Sequence, residues 1–361
     1  MTDCYITSTG SYLPGEPVDN KSMGQYLGKL IGEGQVRKKI LTVNGIRTRH
    51  YALDKRQNET HSVYELAAEA VKACWPQERD SLTIDYLSAG STHAPLLAPG
   101  LSSLLHDQLS QQAIVGHAVE INSNSGICSS GAQAFVNGAR AVKSGDVNTA
   151  ICVGVEQPSI GLKSKAFRPT YDLLTIMQDI RRSKWFMSTF LRFMLSDGAG
   201  AFLLEQKPKA GGLSLKVDWT YSRSFANEAP LCMHLPRKPL VLSQDVTILS
   251  KYMGPLSKRV VEEALNKHEE TLEDYAMVLP HMSSYYFEPT LKKILTELSP
   301  NREVGYWTNL RTAGNTGAAS IYVMLDEFVR TEEIKAGDRI ILFIPESGQF
   351  NYVLISLTVV L

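Results

Sequence analysis

A lone cysteine lies in the stretch NSNSGICSSGAQAF, residues 122–135, surrounded by serines, glycines and alanines. We expect a strand that ends near Asn124 and a helix that starts near Ser129, so that Cys128 lies beside a helix N-terminus. The unpaired N–H groups at such a terminus favour the thiolate, which is the nucleophilic form of cysteine. The small neighbours leave room for a thioester. Alternatively, they serve only to let the helix pack closely against the sheet.

Two polar side chains at other predicted turns could act with this thiol. His281 follows the apolar strand AMVLP in PHMSS, where an imidazole is well placed for proton transfer or hydrogen bonding. Asn315 lies in AGNTGAAS, and its carboxamide could donate into a pocket. Each residue also has a structural interpretation. The histidine would be a satisfied core or surface residue, and the asparagine a turn residue that tolerates positive φ.

Short apolar strands alternate with helical segments along the chain, which indicates an α/β protein. Strands are predicted at 83–92, 118–124, 148–157, 273–284, 338–344 and 350–361. Helices are predicted at 100–110, 131–145, 260–268 and 288–298, and within 312–329 after a tight turn of small residues.

Two echoes between the halves of the chain indicate an internal duplication. IDYLSAGSTHA (84–94) resembles EDYAMVLPHMS (273–283), and the turns SGICSSGAQAF and AGNTGAASIY are built from the same small residues. We therefore divide the chain into an N-terminal half, 1–205, with the cysteine, and a C-terminal half, 206–361, with the histidine and the asparagine. Facing turns of two similar halves would form one site at their interface.

Composition excludes several classes of protein. The 361 residues carry 37 Lys and Arg against 37 Asp and Glu, so no global charge favours nucleic acid or an anionic membrane. The five cysteines are scattered without CxxC spacing, which predicts no metal site and no disulfide framework and fits a reducing cytoplasm. We find no signal peptide and no apolar run of roughly 18 residues that would span a bilayer.

Taken in order, the motifs resemble the thiolase superfamily, and most closely its β-ketoacyl-acyl-carrier-protein synthase III branch. The resemblance covers nearly the whole chain. It runs through GSYLPGEPVDN, NGIRTRHYA, the cysteine turn, SDGAGAFLL, VLPHMSS and AGNTGAAS. It implies a duplicated five-layer α-β-α-β-α fold, normally a homodimer, and a catalytic triad of Cys128, His281 and Asn315. Thiolases fit less well, because Ser347 and Gly348 stand where they have a second catalytic cysteine.

The resemblance also implies the chemistry. Cys128 would take an acyl group from a thioester, and a second, carboxylated thioester would lose CO₂. His281 and Asn315 would donate to the resulting enolate, and the N–H groups of Cys128 and Gly348 would form the oxyanion hole. No cofactor is implied, because the substrates are carried on the phosphopantetheine of an acyl carrier protein or on coenzyme A.

Some positions depart from the family pattern and predict a specialised substrate. Lys39 and Val43 replace the residues that clamp the adenine of coenzyme A, which favours an acyl chain delivered by a carrier protein. Pro95 and Ser284 replace residues near the acyl pocket, and segment 163–195 is long and apolar. A longer or branched acyl group is therefore expected. Carrier docking is predicted at basic helix residues, with solvated helix faces as the alternative: Lys258, Arg259, Lys292 and Lys293.

The predicted function is a ketosynthase that makes a polyketide or a fatty-acid-derived metabolite, with cyclohexanediones and dialkylresorcinols among the candidate products. Two alternatives stay open. One is an acyltransferase on the same fold that joins the acyl group to an oxygen or nitrogen nucleophile. The other is a non-catalytic partner subunit of a heterodimeric ketosynthase.

Overall fold

Fourteen strands and twelve α-helices are found in the part of the chain that a computed structural model describes, which is residues 2–30, 33–76, 82–167, 184–237 and 242–361. The strands are β1 (Tyr5–Tyr12), β2 (Val18–Asp19), β3 (Thr48–Arg49), β4 (Tyr86–Ser91), β5 (Glu120–Ser125), β6 (Thr149–Glu156), β7 (Gly198–Glu205), β8 (Ser214–Ser224), β9 (Met233–His234), β10 (Ser243–Gln244), β11 (Met277–Pro280), β12 (Gly305–Tyr306), β13 (Arg339–Pro345) and β14 (Asn351–Val360). The helices are α1 (Met23–Leu27), α2 (Glu33–Asn44), α3 (Val63–Cys74), α4 (Leu101–Gln111), α5 (Ser130–Ser144), α6 (Ser159–Leu162), α7 (Ser164–Phe167), α8 (Lys184–Arg192), α9 (Val246–Lys267), α10 (Glu288–Leu298), α11 (Leu310–Ala313) and α12 (Ser320–Thr331).

The central sheet contains the same five-stranded arrangement twice. Its order is β12-β11-β13-β14-β8-β1-β7-β6-β4-β5, so the second half mirrors the first about the β8–β1 pair. In the first half β4 pairs in parallel with β5 and β6, and β6, β7 and β1 continue antiparallel. In the second half β11 pairs in parallel with β12 and β13, and β13, β14 and β8 continue antiparallel. The internal duplication is thus visible in both order and direction.

The two halves of the sheet are joined by only two residue pairs, Tyr5 with Lys216 and Ile6 with Leu215. The connection from β7 to β8 holds the proposed division between residues 205 and 206. That boundary stays a prediction, because the pairing of β1 with β8 joins the two halves in one continuous sheet.

Helices cover both faces of each half, which gives five layers. Helices α3 and α4 pack with β4, β6 and β7 in one core, and α9 and α10 belong to another core with β11 and β14. A third core lies between the half-sheets, where α5 and α12 pack against strands from both halves. The predicted α/β fold with duplicated α-β-α-β-α layers is confirmed. None of the helices in the described part of the chain combines the length and apolar composition needed to cross a membrane.

Local differences from the predicted elements have physical reasons. The predicted helix 260–268 is the end of α9, which begins at Val246 and contains Pro255. Asp245 caps its start by accepting hydrogen bonds from the N–H groups of Thr247 and Ile248, at 2.8 and 3.0 Å. Proline normally ends a helix, so tertiary packing overrides a local signal here. The segment 312–329 divides into the end of α11, a 3₁₀ turn at Gly317–Ala319 and most of α12.

Candidate active site

The turn that carries Cys128 connects a strand to a helix, as the sequence predicts. β5 ends at Ser125 and α5 begins at Ser130, so the cysteine lies two residues before the helix. All five cysteines are free thiols. Cys128 is partly exposed, whereas the other four are buried. It is therefore the cysteine that a substrate can reach.

The small residues around this turn are also needed for packing. A Cβ atom at Gly131 would lie 2.0 Å from the carbonyl oxygen of Ala318, and one at Gly154 would lie 2.3 Å from the same oxygen. A Cβ at Gly90 would lie 2.2 Å from the carbonyl oxygen of Ser130. Real Cβ atoms do not approach backbone this closely, because the interior is already close-packed. The packing interpretation of the small residues therefore holds, because three backbone segments cross here. Room for a thioester at the partly exposed Cys128 stays a prediction.

His281 follows β11 and is buried, with its backbone N–H donating to the carbonyl of Phe343 at 2.8 Å. Its Nδ1 lies 2.6 Å from the hydroxyl oxygen of Ser320, the first residue of α12. Burial lowers the pKa of the imidazole to about 4, so the ring is neutral at pH 7. When Ser320 donates to Nδ1, the proton of the ring is on Nε2, which makes that nitrogen a hydrogen-bond donor.

Asn315 is held by hydrogen bonds on its backbone and side chain. Its N–H donates to the carbonyl of Met194 at 3.1 Å, and its carbonyl accepts from the N–H of Ser196 at 2.9 Å. Its Oδ1 accepts from the N–H of Gly317 at 3.0 Å, which leaves the amide nitrogen to donate elsewhere. The left-handed backbone positions of this turn are the neighbouring Gly314 and Gly317, not the asparagine. A role as a positive-φ turn residue is therefore excluded.

Two cavities meet at Cys128, with empty volumes of about 880 and 620 Å³. Asn315 lines the first cavity and His281 the second, whereas Ser283 and Ser347 line both. The three predicted catalytic side chains thus converge on one junction. Cys128 comes from the N-terminal half, and the other two come from the C-terminal half.

The protonation of Cys128 differs from the sequence-based expectation. Burial raises the pKa of the thiol well above its usual value, and the negative charges of Glu346 and Glu156 raise it further. The helix N-terminus alone favours a thiolate, but neither carboxylate was considered in that argument. The resting group is therefore a neutral thiol that must lose its proton when it reacts.

Two family models match parts of the chain that contain these residues. The N-terminal domain of β-ketoacyl synthase matches residues 117–210, which include the cysteine turn. The C-terminal domain of 3-oxoacyl-[acyl-carrier-protein] synthase III matches residues 265–345, which include His281 and Asn315. Each half of the chain is therefore similar to a domain of the β-ketoacyl synthases, and the C-terminal match is to the synthase III type.

Solved structures show how widely this synthase III-like fold is shared. The tetronic acid condensing enzyme AbyA1 is 20% identical with a TM-score of 0.78, and the match covers 98% of this chain and 99% of that one. 3-Oxoacyl-[acyl-carrier-protein] synthase III from Aquifex aeolicus is 19% identical with a TM-score of 0.71, covering 99% and 100%. A variant of OleA from Xanthomonas campestris is 16% identical with a TM-score of 0.78, covering 99% and 98%. At these low identities, the likeness shows that the proteins share a fold.

Two buried glutamates beside Cys128 were missed in the sequence. Glu156 lines the first cavity and accepts hydrogen bonds from the N–H and hydroxyl of Thr92, at 3.0 and 2.5 Å, and from the N–H of Ala318 at 3.2 Å. Burial raises its pKa to about 7. Glu346 accepts from the N–H groups of Ile127 and Ser129, on either side of Cys128. Each glutamate directly ends or follows an apolar strand, which is the signal that could have identified both.

The residues predicted for the acyl pocket, Pro95 and Ser284, lie apart from the two cavities. Pro95 is exposed in the loop between β4 and α4 and lines neither cavity. Ser284 is buried, and its hydroxyl caps a 3₁₀ turn by accepting from the N–H of Tyr286 at 3.1 Å, whereas its neighbour Ser283 faces the cavities. Gly348 packs beside Ile127, and its carbonyl accepts from the N–H groups of Cys232 and Met233.

The four predicted docking cations lie on α9 and α10, and each is within 4 Å of a carboxylate. Lys258 and Lys293 both contact Glu297, at 2.8 and 3.8 Å. The other two cations make three pairs, Arg259 with Glu228 and with Glu263, and Lys292 with Glu288. This surface is therefore of mixed charge rather than a basic patch. Lys258 and Lys293 do line an outer groove that shares Leu249, Met253, Phe287, Thr290 and Ile294 with the second cavity.

Proposed function

We propose that the protein is a decarboxylative condensing enzyme that forms an acyl thioester on Cys128. The observation that carries this proposal is the junction itself. A reachable thiol stands where two cavities meet, with the Asn315 carboxamide in one and the neutral His281 imidazole in the other. A thiol between two chambers suits a reaction with two substrates, one held covalently and one arriving afterwards.

In the first step, the sulfur of Cys128 attacks the carbonyl carbon of an acyl thioester. The carbon–sulfur bond to the carrier breaks, and the carrier thiol leaves with the proton that Cys128 loses. The tetrahedral oxyanion is assigned to the N–H groups of Cys128 and Gly348. Losing one such donor typically costs about 3 kcal/mol in the transition state.

In the second step, a carboxylated thioester loses CO₂, and the electron pair of the broken bond becomes an enolate. In this proposal, the Nε2–H of His281 and the amide nitrogen of Asn315 donate to the enolate oxygen. Both donors are neutral, so they stabilise the developing charge without holding a carboxylate ion in the ground state. The enolate carbon then attacks the acyl carbonyl, and Cys128 is released as the leaving group.

The first cavity supports an acyl group that is longer or more branched than acetyl. Its wall is mostly aliphatic, which suits a hydrocarbon chain rather than a polar group. The apolar side chains that line it include Ile160, Leu162, Leu191, Met194, Leu195, Met233, Leu235 and Leu242. Part of the apolar segment 163–195, namely 168–183, lies outside the described residues, whereas α8 contributes Leu191 to this wall.

Delivery by an acyl carrier protein is also proposed, with the groove between α9 and α10 as its docking surface. Docking there would exchange the ion pairs of Lys258 and Lys293 for pairs with the acidic face of the carrier. The exposed positions of Lys39 and Val43 on α2 are consistent with weak binding of the coenzyme A adenine. A homodimer, implied by the resemblance, is part of the same proposal.

Intact-protein mass spectrometry tests the acyl-enzyme directly. The wild type and Cys128→Ala are incubated with acyl groups of increasing length on carrier protein and on coenzyme A. We expect an adduct that the variant lacks, with a preference for carrier protein and for chains longer than acetyl. Malonyl and β-ketoacyl carriers are then added to detect a new carbon–carbon bond, and products of the tetronic acid class belong in that panel. No adduct from any donor would refute the proposal and favour a non-catalytic subunit.

A second candidate is acyl transfer to a hydroxyl or amine, and the buried Glu156 favours it. Its pKa of about 7 makes this carboxyl half ionised near neutral pH, which suits a general base in the acyl cavity. The same mass assay distinguishes the two reactions. An ester or amide product that forms without loss of CO₂ would replace the condensation with this transfer.

A further inference from the structure

The strand ladders relate Glu156 and Glu346 to each other. In the first half, Thr149 pairs with Glu205 and Glu156 pairs with Gly198. The antiparallel register of β6 and β7 is therefore unbroken between these two pairs. In the second half Arg339 pairs with Thr358, and the N–H of Glu346 donates to the carbonyl of Asn351 at 2.8 Å. Counting seven residues along β6 from Thr149 reaches Glu156, and along β13 from Arg339 reaches Glu346. The two glutamates occupy the same position in the two copies of the fold.

Each glutamate accepts hydrogen bonds from the strand-to-helix turn of the other half. Glu156, in the first half, accepts from the N–H of Ala318, shortly before α12. Glu346, in the second half, accepts from the N–H groups of Ile127 and Ser129 at 3.2 and 3.1 Å, shortly before α5. Glu156 therefore holds the turn that follows Asn315. Glu346 holds the turn of Cys128, and we call these contacts of Glu346 the clamp.

We propose that Glu346 is the positioning residue for the nucleophile, acting through the backbone on both sides of Cys128. This inference rests on the proposed role of that cysteine. Oε2 of Glu346 accepts hydrogen bonds from the N–H groups of Ile127 and Ser129 and from the hydroxyl of Ser129 at 2.5 Å. Oε1 accepts from the amide nitrogen of Asn351 at 2.9 Å. All of these contacts are made by a side chain that is 2% exposed. Charge-assisted bonds of this kind are roughly twice as strong as neutral ones.

The clamp has a geometric consequence for the oxyanion hole. Because the two N–H groups that flank Cys128 point to Glu346, the peptide between them is fixed, and with it the direction of the cysteine N–H. The same carboxylate lies beside the proposed oxyanion glycine, because a Cβ at Gly348 would be 2.8 Å from Oε1. Glu346 therefore holds the Cys128 turn directly and packs against Gly348.

The clamp also has an electrostatic consequence, because the negative charge of Glu346 raises the pKa of Cys128. The other ionisable groups that face this thiol are Glu156 at the end of β6, His281 after β11 and His93 after β4. Burial lowers the pKa of both histidines, so they are neutral near pH 7 and do not offset the carboxylates. The thiol is therefore kept protonated until an acyl donor enters, which limits its oxidation and alkylation.

The pH dependence of alkylation tests the clamp without an acyl donor. The rate at which iodoacetamide modifies Cys128 is measured by peptide mass spectrometry between pH 6 and 11 for the wild type, Glu346→Gln and Asn351→Ala. Glu346→Gln removes the charge, so we expect the midpoint to fall by about 1 pH unit or more. Asn351→Ala keeps the charge and loses only the bond to Oε1, so its midpoint should match the wild type. Glu303→Gln, on the exposed surface, is the control for removing a carboxylate.

Acylation supplies the second readout. Both Glu346→Gln and Asn351→Ala should slow the transfer of the acyl group to Cys128 by about tenfold or more, because a loosened turn misplaces the oxyanion donor. An unchanged alkylation midpoint in folded Glu346→Gln would overturn the inference, as would wild-type acylation in both variants. If Glu346→Gln does not fold, Asn351→Ala still decides the geometric part. If no donor acylates Cys128 but the alkylation midpoint of Glu346→Gln still differs from that of the wild type, the proposed function is rejected. The inference about Glu346 then stands.

Discussion

Replacing Gly131 by alanine would place a Cβ atom 2.0 Å from the carbonyl oxygen of Ala318 and 3.2 Å from the Cα of Gly154. These are backbone atoms, so no side chain can rotate away, and one of the crossing segments must move by about 1 Å or more. Overpacking of this kind costs about 3 kcal/mol. Ala318 lies three residues after Asn315, so the displacement should also shift the carboxamide donor. A shift of about 1 Å can cost about a hundredfold in rate.

Thermal unfolding and single-turnover condensation measure both effects. For Gly131→Ala we expect the Tm to fall by about 4 °C, together with a large loss of condensation. Gly126→Ala is the matched control in the same turn, because its Cβ would meet nothing closer than the Cβ of Ser130 at 3.4 Å. If Gly131→Ala is as stable and as active as Gly126→Ala, the three-way backbone crossing does not position the site.

The other predictions concern titration and hydrogen bonding in the site. Because the pKa of Glu156 is raised to about 7, folding favours its neutral form, and this stabilisation is lost as the pH rises from about 4.5 through 7. Glu156→Gln should therefore gain up to about 3 kcal/mol relative to the wild type between pH 5 and pH 8 in denaturant unfolding, and a constant difference would contradict the assigned pKa. Ser320→Ala removes the partner of His281 Nδ1 at 2.6 Å and should slow malonyl-thioester decarboxylation about tenfold. Ser320→Thr should restore the rate, and alkylation of Cys128 should not change. With the pKa of His281 near 4, protonation of this ring should not reduce decarboxylation until the pH approaches that value. A loss of decarboxylation centred near pH 6.5 would mean that His281 has the pKa of an ordinary imidazole, and would contradict the effect of burial.

Much of the architecture could be predicted because its signals are local. The apolar strands with β-branched residues and the turns of glycine, serine and alanine identify the elements, and their order identifies the layers. The three predicted catalytic residues were singled out by their turns, since Cys128 and Asn315 lie among small residues and Cys128 and His281 follow strands. Helix α3 was missed even though Ser62 and Glu65 form a reciprocal capping box at its start.

The remaining features depend on contacts between distant segments. Nothing local to VEQPS or PESG indicates that these two glutamates reach across to the opposite half. The same holds for the protonation of Cys128, which depends on burial and on charges from residues 28 and 218 positions away. The acidic partners of the predicted docking cations were missed for a related reason. Their acidic partners lie one helical turn away or on neighbouring elements, so a count of lysines and arginines gives no local field.

The aliphatic wall of the first cavity has a consequence for how such a protein can change. Its side chains come from the connection between β6 and β7 and from the segment between β8 and α9, not from the ten strands of the duplicated sheet. Under the proposed function, chemistry and substrate choice therefore reside in separable parts of one chain. The crossing that holds the reactive groups tolerates almost no added atom, whereas the side chains of the wall can change in size without altering the ten strands. Laboratory evolution for a new acyl length would find its gains in these connections and leave the duplicated frame untouched.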